Sequence, residues 1–162
     1  MRDAFLQAMS RAANTVCVVT TNGLAGKHGV TVSAMTSVSV ENPAPTLLIC
    51  VHHMSSACEA IQRNRVFCAN ILGSEQAQVS DCFAGRTQAK GIEKFDCATW
   101  KAGGTGGPIL VDAQASFDCN LMHDFLVGSH RIFVGQVAAV ESAATGAPLI
   151  YYDRTYSTPT PF

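Results

Sequence analysis

The clearest strand pattern in the chain is Gly29-Val30-Thr31-Val32-Ser33-Ala34-Met35-Thr36-Ser37-Val38-Ser39. Successive side chains of a strand point to opposite faces, so the alternation here predicts one apolar face and one face rich in hydroxyls. The apolar face, continued by one residue, is predicted to consist of Val30, Val32, Ala34, Val38 and Val40. The opposite face carries Thr31, Ser33, Met35, Ser37 and Ser39.

Six further segments are predicted to be strands, because β-branched and apolar residues alternate or run together between turn signals. They are residues 15–21, 46–51, 66–72, 110–123, 132–140 and 149–152. Short helices are predicted over 2–13, from Ser56 to about Gln62, and from Ser74 to about Cys82. About seven strands and two or three short helices predict a mainly β fold, a closed or nearly closed antiparallel barrel in one domain.

The amino-acid composition argues against nucleic acid and membranes as partners. Charged residues make up 14% of the 162 residues, hydrophobic residues 48%, and the net charge is −1. Such a chain has no broad positive field for nucleic acid or an anionic membrane, and its surface is expected to be partly covered by another subunit. No apolar leader or run of about 18 apolar residues occurs, so a cytoplasmic protein is expected.

The seven cysteines form an odd set without a C-x-x-C pair. Several lie in apolar runs, where they are interpreted as small buried hydrophobes of a protein in a reducing compartment. Cys50, His52, His53 and Cys58 are close in sequence, but adjacent histidines on extended backbone point apart, so no metal site is predicted.

Two glycine-containing regions are candidate sites. Gly103-Gly104-Thr105-Gly106-Gly107 does not match a dinucleotide-binding or P-loop pattern. It is predicted to be a plain loop, with a mobile lid as the alternative, in a flexible region over 86–107 with at most one helical turn. Gly128-Ser129-His130-Arg131 is either a hairpin turn or the support of a histidine aimed at a second ligand.

Anion and ring binding are suggested by three other segments. Ser55-Ser56 opens a helix, with Ser56 and Glu59 in a capping-box spacing; it either caps the helix or also binds a phosphate. The hydroxyl face of 31–39 and the strand end Asn70-Ile71-Leu72 supply uncharged donors and acceptors suited to a planar heteroaromatic ring. A phosphate could also be met by Arg86, Arg131 or Arg154, and the sequence does not choose among them.

The order of motifs resembles the flavin reductase-like family with a split β-barrel, especially the reductase components of two-component flavin-dependent monooxygenases of the 4-hydroxyphenylacetate and chlorophenol hydroxylase type. The resemblance rests on joint order and spacing across nearly the whole chain. Its pieces are Arg2-Asp3-Ala4, Val18-Val19-Thr20-Thr21, residues 29–39, Ile49-Cys50-Val51 with Ser55-Ser56, Phe67-Cys68-Ala69-Asn70-Ile71-Leu72, Glu75-Gln76, Phe83-Ala84-Gly85, Lys94-Phe95, Trp100, Gly128-Ser129-His130 and Leu149-Ile150-Tyr151-Tyr152.

The resemblance implies a split barrel of the FMN-binding type over residues 1–162, and a homodimer that reduces FMN or FAD with NADH or NADPH for a partner monooxygenase. His130 would position the nicotinamide. Many relatives have Gly-Asp-His where this chain has Gly128-Ser129-His130, so a role of that aspartate does not transfer. By resemblance, the flavin would contact Thr31, Val32, Ser33, Ala34, Met35, Thr36, Ser37, Val51, His52, His53, Met54, Ser55, Ser56, Asn70, Ile71, Leu72, Phe83, Ala84 and Gly85. Gly128 and Ser129 would also bind a cofactor.

Hydride transfer between stacked nicotinamide and flavin rings requires orientation rather than an acid–base pair, which agrees with the lack of a catalytic dyad or triad motif in the sequence. Three alternatives remain open. They are an oxidase-like flavoprotein that holds FMN tightly on a related barrel, a non-catalytic binder of flavin or another small ligand, and an interaction module.

Overall fold

A computed structural model describes residues 1–41 and 43–160. Asn42, part of the predicted break between two strands, and the last two residues of the predicted domain lie outside the described residues. The strands are β1 (Asn14–Thr15), β2 (Cys17–Thr21), β3 (His28–Val32), β4 (Met35–Ser39), β5 (Thr46–His52), β6 (Val66–Ile71), β7 (Trp100–Ala102), β8 (Pro108–Leu110), β9 (Ala115–Val127), β10 (His130–Ser142), β11 (Ile150–Tyr152) and β12 (Thr155–Ser157).

The main sheet is an antiparallel barrel, which confirms the predicted fold class. Its seven strands follow the order β3-β2-β6-β9-β10-β5-β4. The two edge strands, β3 and β4, are consecutive in the chain and are separated only by Ser33 and Ala34. The Cys50 amide donates to the Ala34 carbonyl over 3.0 Å. One bent segment therefore pairs with β2 through its first half and with β5 through its second, which closes the sheet.

That bend overturns part of the predicted alternation. Val32 is buried and Met35, three residues later, also packs against the barrel core. In a regular strand, residues on the same face are an even number of positions apart, whereas Val32 and Met35 are three positions apart. One residue is therefore inserted at the bend, and beyond it the two faces of the strand are exchanged. Consequently Val38 and Val40, predicted to face the core with Val30 and Val32, are 54% and 77% exposed.

The helices are α1 (Arg2–Ser10), α2 (Ser56–Asn64) and α3 (Ala77–Phe83), with 3-10 helices at Ser74–Gln76 and Gly91–Cys97. Each predicted helix is present, although α1 ends earlier than predicted and buries none of its residues. No helix in the described ranges is long and apolar enough to cross a membrane.

The region 86–107 is more ordered than predicted. It contains a seven-residue 3-10 helix and β7 rather than one helical turn at most. The helix is fixed by an aromatic cluster in which the rings of Phe83, Phe95 and Trp100 lie 5.0–5.4 Å apart. The indole of Trp100 also donates to the Phe95 carbonyl over 3.0 Å. These contacts join α3 to the segment that follows it, and composition alone does not show that the three rings meet.

Two hydrophobic clusters hold the fold. The first fills the barrel around Ile49, Phe67 and Phe133, and α2 covers it through Cys58 and Ile61. The second lies between the outer surface of the barrel, α3 and the β11–β12 hairpin, and contains Phe83, Phe95 and Leu149. The second cluster places α3 and the C-terminal hairpin beside the end of β3.

Candidate functional site

A cleft of about 180 Å³ opens where the end of β3, α3 and the β11–β12 hairpin meet. Its walls combine aliphatic groups, hydroxyls, two tyrosines and one arginine. The lining residues are Val16, Thr31, Val32, Ser33, Ser80, Ala84, Arg86, Tyr151 and Tyr156. Four of them, Thr31, Val32, Ser33 and Ala84, are among the residues predicted to bind flavin.

A polar network forms one wall of the cleft. The Tyr156 hydroxyl lies 2.8 Å from Ser80 Oγ and 2.7 Å from Asp81 Oδ1. Arg86 Nη1 donates to the same Asp81 oxygen over 2.9 Å and to the Tyr156 hydroxyl over 3.2 Å. On the other wall, the Thr31 hydroxyl donates to the Ser80 carbonyl over 2.7 Å and so ties α3 to β3.

Two groups of this network keep their protons near neutral pH. Partial burial raises the pKa of the Tyr156 hydroxyl, so the phenol keeps its proton. The hydrogen bond to Asp81, followed by the influence of Tyr156, raises the pKa of the Arg86 guanidinium. The cleft therefore offers one cation, paired with the Asp81 carboxylate, beside uncharged hydroxyls.

The hydroxyl-bearing strand continues from the cleft onto the surface. Ser33, Ala34, Thr36 and Ser37 are exposed, and Met35 is half-buried. Exposed hydroxyls and backbone along a bent strand give a flat molecule polar groups to contact without placing a charge against it. This part of the predicted site is thus accessible and continuous with the cleft.

The predicted capping box does not form, and the N-cap of α2 lies one residue earlier than predicted. Ser55, not Ser56, is the N-cap of α2, with extended backbone, and its Oγ accepts from the Ala57 amide over 3.3 Å. Ser56 is the first helical residue and is exposed. Glu59 pairs with Arg63 one turn further on, at 3.7 Å, instead of returning to the cap. The Ser56 hydroxyl is therefore left free at the surface.

Three histidines gather at the end of β5 and the β9–β10 hairpin. His52 and His130 face each other in register, with ring centroids 5.1 Å apart, and His53 stacks on His52 at the same separation. The predicted divergence of His52 and His53 is wrong, because His53 lies in a turn rather than on extended backbone. Across the described residues no arrangement of three or more His, Cys, Asp or Glu side chains suits a metal ion.

The hairpin holds His130 through local contacts. Gly128 adopts the left-handed backbone that the tight turn requires, with φ at 57°. The Ser129 carbonyl accepts from the His53 amide over 3.0 Å, and Ser129 Oγ lies 3.0 Å from His130 Nδ1. Met54, next to this group, is 80% exposed. The residues of 52–54 and 128–130 therefore form one exposed group.

Several residues that were predicted to contact flavin have buried side chains. Asn70 is fully buried: its Oδ1 accepts from the Leu110 amide and Ser116 Oγ, both over 2.9 Å, and its Nδ2 donates to the Val18 carbonyl. The side chain of Asn70 is therefore used inside the fold. The side chains of Val51, Leu72 and Phe83 are also buried, whereas Ile71 is half-buried and Ala84 and Gly85 are exposed. Polar character in a strand could not distinguish a ligand contact from a core hydrogen-bond hub.

Sequence reasoning missed Ser80, Asp81, Tyr151 and Tyr156 as neighbours of a site. Tyr151 belonged to the quoted motif 149–152, but nothing local connects the C-terminal hairpin with α3, because that contact spans about seventy residues. Arg86 was one of three candidate arginines, and only the fold places it in the cleft.

Comparison with known proteins gives a consistent result. The family model "Flavin reductase like domain" matches residues 9–160. The chain is 39% identical over 158 residues to FMN reductase (NADH) RutF of Acinetobacter baylyi, covering 98% of this chain and 82% of that protein. It is 41% identical over 155 residues to FMN reductase (NADH) RutF 1 of Methylorubrum extorquens, covering 96% and 75%.

Solved structures share the fold. Flavin reductase PheA2 superposes with a TM-score of 0.88 at 27% identity, covering 99% of both chains. BorF, the flavin reductase component of a bacterial two-component tryptophan halogenase, superposes with a TM-score of 0.87 at 28% identity, covering 98% of both chains. A protein from Haemophilus somnus reaches 0.91 at 35% identity, covering 98% of this chain and 99% of its own.

Proposed function

This chain belongs to the flavin reductase like domain family, and from that membership we propose that it is a flavin reductase that oxidises NADH and reduces FMN. The observation that carries the proposal is the 39–41% identity, over 96–98% of the chain, to proteins named FMN reductase (NADH). FAD as a second flavin and NADPH as a second donor belong to the same proposal.

The residues present fit a flavin. The exposed polar backbone and hydroxyls of Ser33–Ser37 suit the edge of a neutral tricyclic ring, and Arg86 in the adjoining cleft suits an anionic substituent. As flavin neighbours we propose the residues of 31–37, 51–56, 70–72 and 83–85, with 128–129 as further cofactor neighbours. The side chains of Val51, Asn70, Leu72 and Phe83 are buried, so these four would contact flavin through their backbone.

The protein's contribution to the reaction is orientation. When both substrates are bound, a hydride passes from nicotinamide C4 to flavin N5, which requires stacked rings about 3–3.5 Å apart. His130, held by Ser129 and the neighbouring His52, is proposed to position the nicotinamide. No side chain has to exchange a proton with the reacting atoms, so this role does not need a catalytic dyad or triad.

We propose that the reduced flavin leaves for a partner monooxygenase in the cytoplasm. The proposed site favours release of reduced flavin, because the flavin would be contacted by hydroxyls, backbone and one arginine rather than by several charged side chains. All seven cysteines are free thiols, as expected for a protein in a reducing compartment.

We also propose a homodimer. The turn end of the β9–β10 hairpin exposes Phe125, Leu126 and Val127 by 48%, 54% and 58%. Phe125 and Val127 lie on one face of β9 and Leu126 on the other, and large exposed apolar side chains are typical of interaction surfaces. Light scattering on the purified chain of 17.1 kDa should give twice that mass. A mass equal to one chain at micromolar concentration would contradict the dimer.

The function is tested by mixing the purified protein with NADH and an excess of FMN and following the loss of NADH absorbance under anaerobic conditions. We expect turnover that depends on added flavin. Binding of FMN without NADH oxidation would indicate a non-catalytic flavin binder. Retention of one FMN per chain through gel filtration, without turnover of free flavin, would indicate an oxidase-like flavoprotein.

A further inference from the structure

Two oppositely charged residues lie on the core-facing side of the barrel, near the β9–β10 turn. Asp124 of β9 is opposite Phe133 in the sheet. Arg131 of β10 is opposite Val51 of β5. Residues that face each other across antiparallel strands share one side of the sheet, and Phe133 and Val51 are buried in the barrel core. Charged side chains on such a side are rare unless they are paired, and these two form an ion pair.

The ion pair also contacts helix α2, which covers the barrel core. Gln62 Nε2 donates to Asp124 Oδ1 over 2.9 Å. The Cys58 thiol lies beside the Arg131 guanidinium. Cys58 and Gln62 are four residues apart, about one helical turn, so they lie on the same face of α2. One side of the helix therefore meets both members of the pair.

Stability alone does not account for this arrangement. The side chains of Arg131 and Asp124 are 23% and 15% exposed, so both charges lose most of their hydration. A shielded ion pair gains little net stability over apolar residues of similar size, because the cost of desolvation offsets the attraction. What the pair adds is direction. Asp124 Oδ1 accepts from both Arg131 and Gln62, and these contacts are satisfied together in one relative position of β9, β10 and α2.

The contacts join two elements that carry proposed cofactor neighbours. Helix α2 has its N-cap at Ser55, on the flavin side of the proposed site. Strand β10 begins at His130, which is proposed to position the nicotinamide, and Arg131 follows it directly. A second link, from the His53 amide to the Ser129 carbonyl, lies at the exposed surface. The ion pair thus provides a shielded link between the flavin side and the nicotinamide side.

We propose that Asp124 and Gln62 are positioning residues for hydride transfer. Gln62 holds the Asp124 carboxylate to α2. That carboxylate fixes Arg131 and, through it, the adjacent His130 at the distance from the flavin that the reaction requires. The inference rests on the proposed flavin reduction and goes beyond it, because it assigns a role to side chains that are not among the proposed cofactor contacts. The same pairing offsets the charge of Arg131, one of the three arginines that the sequence offers for a phosphate.

Gln62→Met is the main test, since it removes the amide donor but keeps the length of the side chain and the ion pair. Anaerobic stopped-flow mixing with saturating NADH, in the presence of excess FMN, measures the rate of flavin reduction. Quenching of FMN fluorescence measures flavin binding. We expect the rate to fall by about three- to tenfold, as for a small displacement of the reacting groups. The dissociation constant of FMN should stay as in the wild type.

Asp124→Asn shows whether Gln62 acts through Asp124. Asparagine keeps the shape of the side chain but leaves the Arg131 charge without its partner, so the rate should fall further than in Gln62→Met. Adding Gln62→Met to Asp124→Asn should then lower the rate no further. Asp124→Glu, which keeps the carboxylate, should retain more of the rate than Asp124→Asn. If Asp124→Asn does not fold, the rate of Gln62→Met decides the question.

Glu141→Gln is the matched control. Glu141 lies on the same strand, at the end far from His130, and pairs with Lys101 at 2.6 Å, with both side chains half-exposed. Loss of this ion pair should leave the rate of flavin reduction and the affinity for FMN as in the wild type. A similar fall of the rate in Glu141→Gln and in Gln62→Met would show that any change in the sheet slows the reaction, and it would overturn the positioning role.

Thermal unfolding and equilibrium binding separate the remaining outcomes. A purely structural role of Gln62 would lower the Tm and leave the rate at saturating NADH unchanged, which overturns the proposal. An equal loss of affinity for NADH and FMN also overturns it. If the wild type does not oxidise NADH, the proposed function fails. Weaker binding of NADH to Gln62→Met, with unchanged binding of FMN, would then still support the positioning of His130.

Discussion

Gly29 shows how one residue controls the position of the cleft. A Cβ at this position would lie 2.5 Å from Cε1 and 2.8 Å from Cδ1 of Phe83, a side chain with 1% exposure. The ring of Phe83 thus packs directly on the backbone of β3. Since Phe83 ends α3, this close approach sets the distance between β3 and the helix that carries Ser80 and Asp81.

Gly29→Ala is therefore expected to destabilise the protein and to disturb the cleft. Overpacking of a buried site typically costs about 1–3 kcal/mol, and the displacement of α3 should raise the KM for FMN as well. Urea unfolding and steady-state kinetics measure the two effects. Gly73→Ala is the control, because a Cβ there meets its nearest atom at 3.8 Å. A Gly29→Ala protein as stable as the control would contradict the packing argument.

His130 lies outside the cleft and is expected to affect the other substrate. Its ring is exposed at the end of β10 and is held by Ser129 and His52. His130→Ala should raise the KM for NADH several-fold, as expected for the loss of one or two modest contacts, with the dissociation constant of FMN unchanged. Unaltered KM and kcat for NADH would remove the nicotinamide role, and His123→Ala, which removes an exposed histidine of β9 outside the proposed site, serves as the control.

Residue-level sequence reading succeeds where a side chain's role follows from local pattern and fails where it depends on distant partners. The hydroxyls of Thr31 and Ser33 were predicted from alternation, and both line the cleft. Asn70 had the same polar character in a similar strand, yet its amide joins β2, β8 and β9 inside the core. Only the positions of those strands reveal that difference.

At the scale of elements, β9 and the glycine-rich turn 103–107 show that composition alone does not tell a buried polar residue from an exposed one, or a fixed turn from a flexible loop. Both Ser116 and Asp118, two polar residues of β9, are buried. The Asp118 carboxylate accepts from the Thr105 amide over 2.8 Å and from the Thr105 hydroxyl. A Cβ on Gly103 would lie 2.7 Å from the same carboxylate. Gly103 is thus required for the close approach to Asp118, and the turn is a fixed part of the fold.

Thr105→Val distinguishes a fixed turn from the alternative of a mobile lid. The change keeps the shape of the side chain but leaves one oxygen of a buried carboxylate without its hydroxyl partner. Unsatisfied buried acceptors cost about 1–3 kcal/mol, so the free energy of unfolding should fall by that amount while kcat and KM stay the same. Thr105→Ser, which keeps the hydroxyl, should be close to the wild type. A lid would give the opposite result, with altered kinetics and unchanged stability.

The bent β3–β4 segment marks the limit of pattern reading for a whole element. Alternation correctly predicted a strand over Gly29–Ser39 and its paired neighbours. It could not predict that the segment bends at Ser33–Ala34, because the bend arises from pairing with β2 at one end and β5 at the other. Closure of the barrel, and the exposure of Val38 and Val40 that follows from it, are properties of the complete sheet.

At the scale of the whole molecule, the barrel core combines aliphatic and aromatic groups with free thiols. Cys17, Cys68 and Cys119 are all fully buried and lie on adjacent strands β2, β6 and β9. Burial raises the pKa of each thiol above its ordinary value of 9.0, and for Cys119 to about 12. As sequence reading predicted, these cysteines act as small apolar residues, and they are neutral throughout the physiological range.

These thiols make stability depend on alkaline pH, with a sign that follows from linkage. In the unfolded chain a thiol ionises near pH 9, while Cys119 in the folded barrel retains its proton to about pH 12. Its contribution to the free energy of unfolding is fully present below pH 9 and is lost as the pH rises towards 12, at up to about 1.4 kcal/mol per pH unit.

Urea unfolding under reducing conditions from pH 7 to pH 11, for the wild type and Cys119→Ala, measures this contribution as a difference. The stability advantage of the wild type should be constant up to about pH 8.5 and shrink steadily above it, because only the wild type carries the thiol. A constant difference across the range would mean that Cys119 ionises as easily in the folded barrel as in the unfolded chain, which would contradict its placement in a dry core.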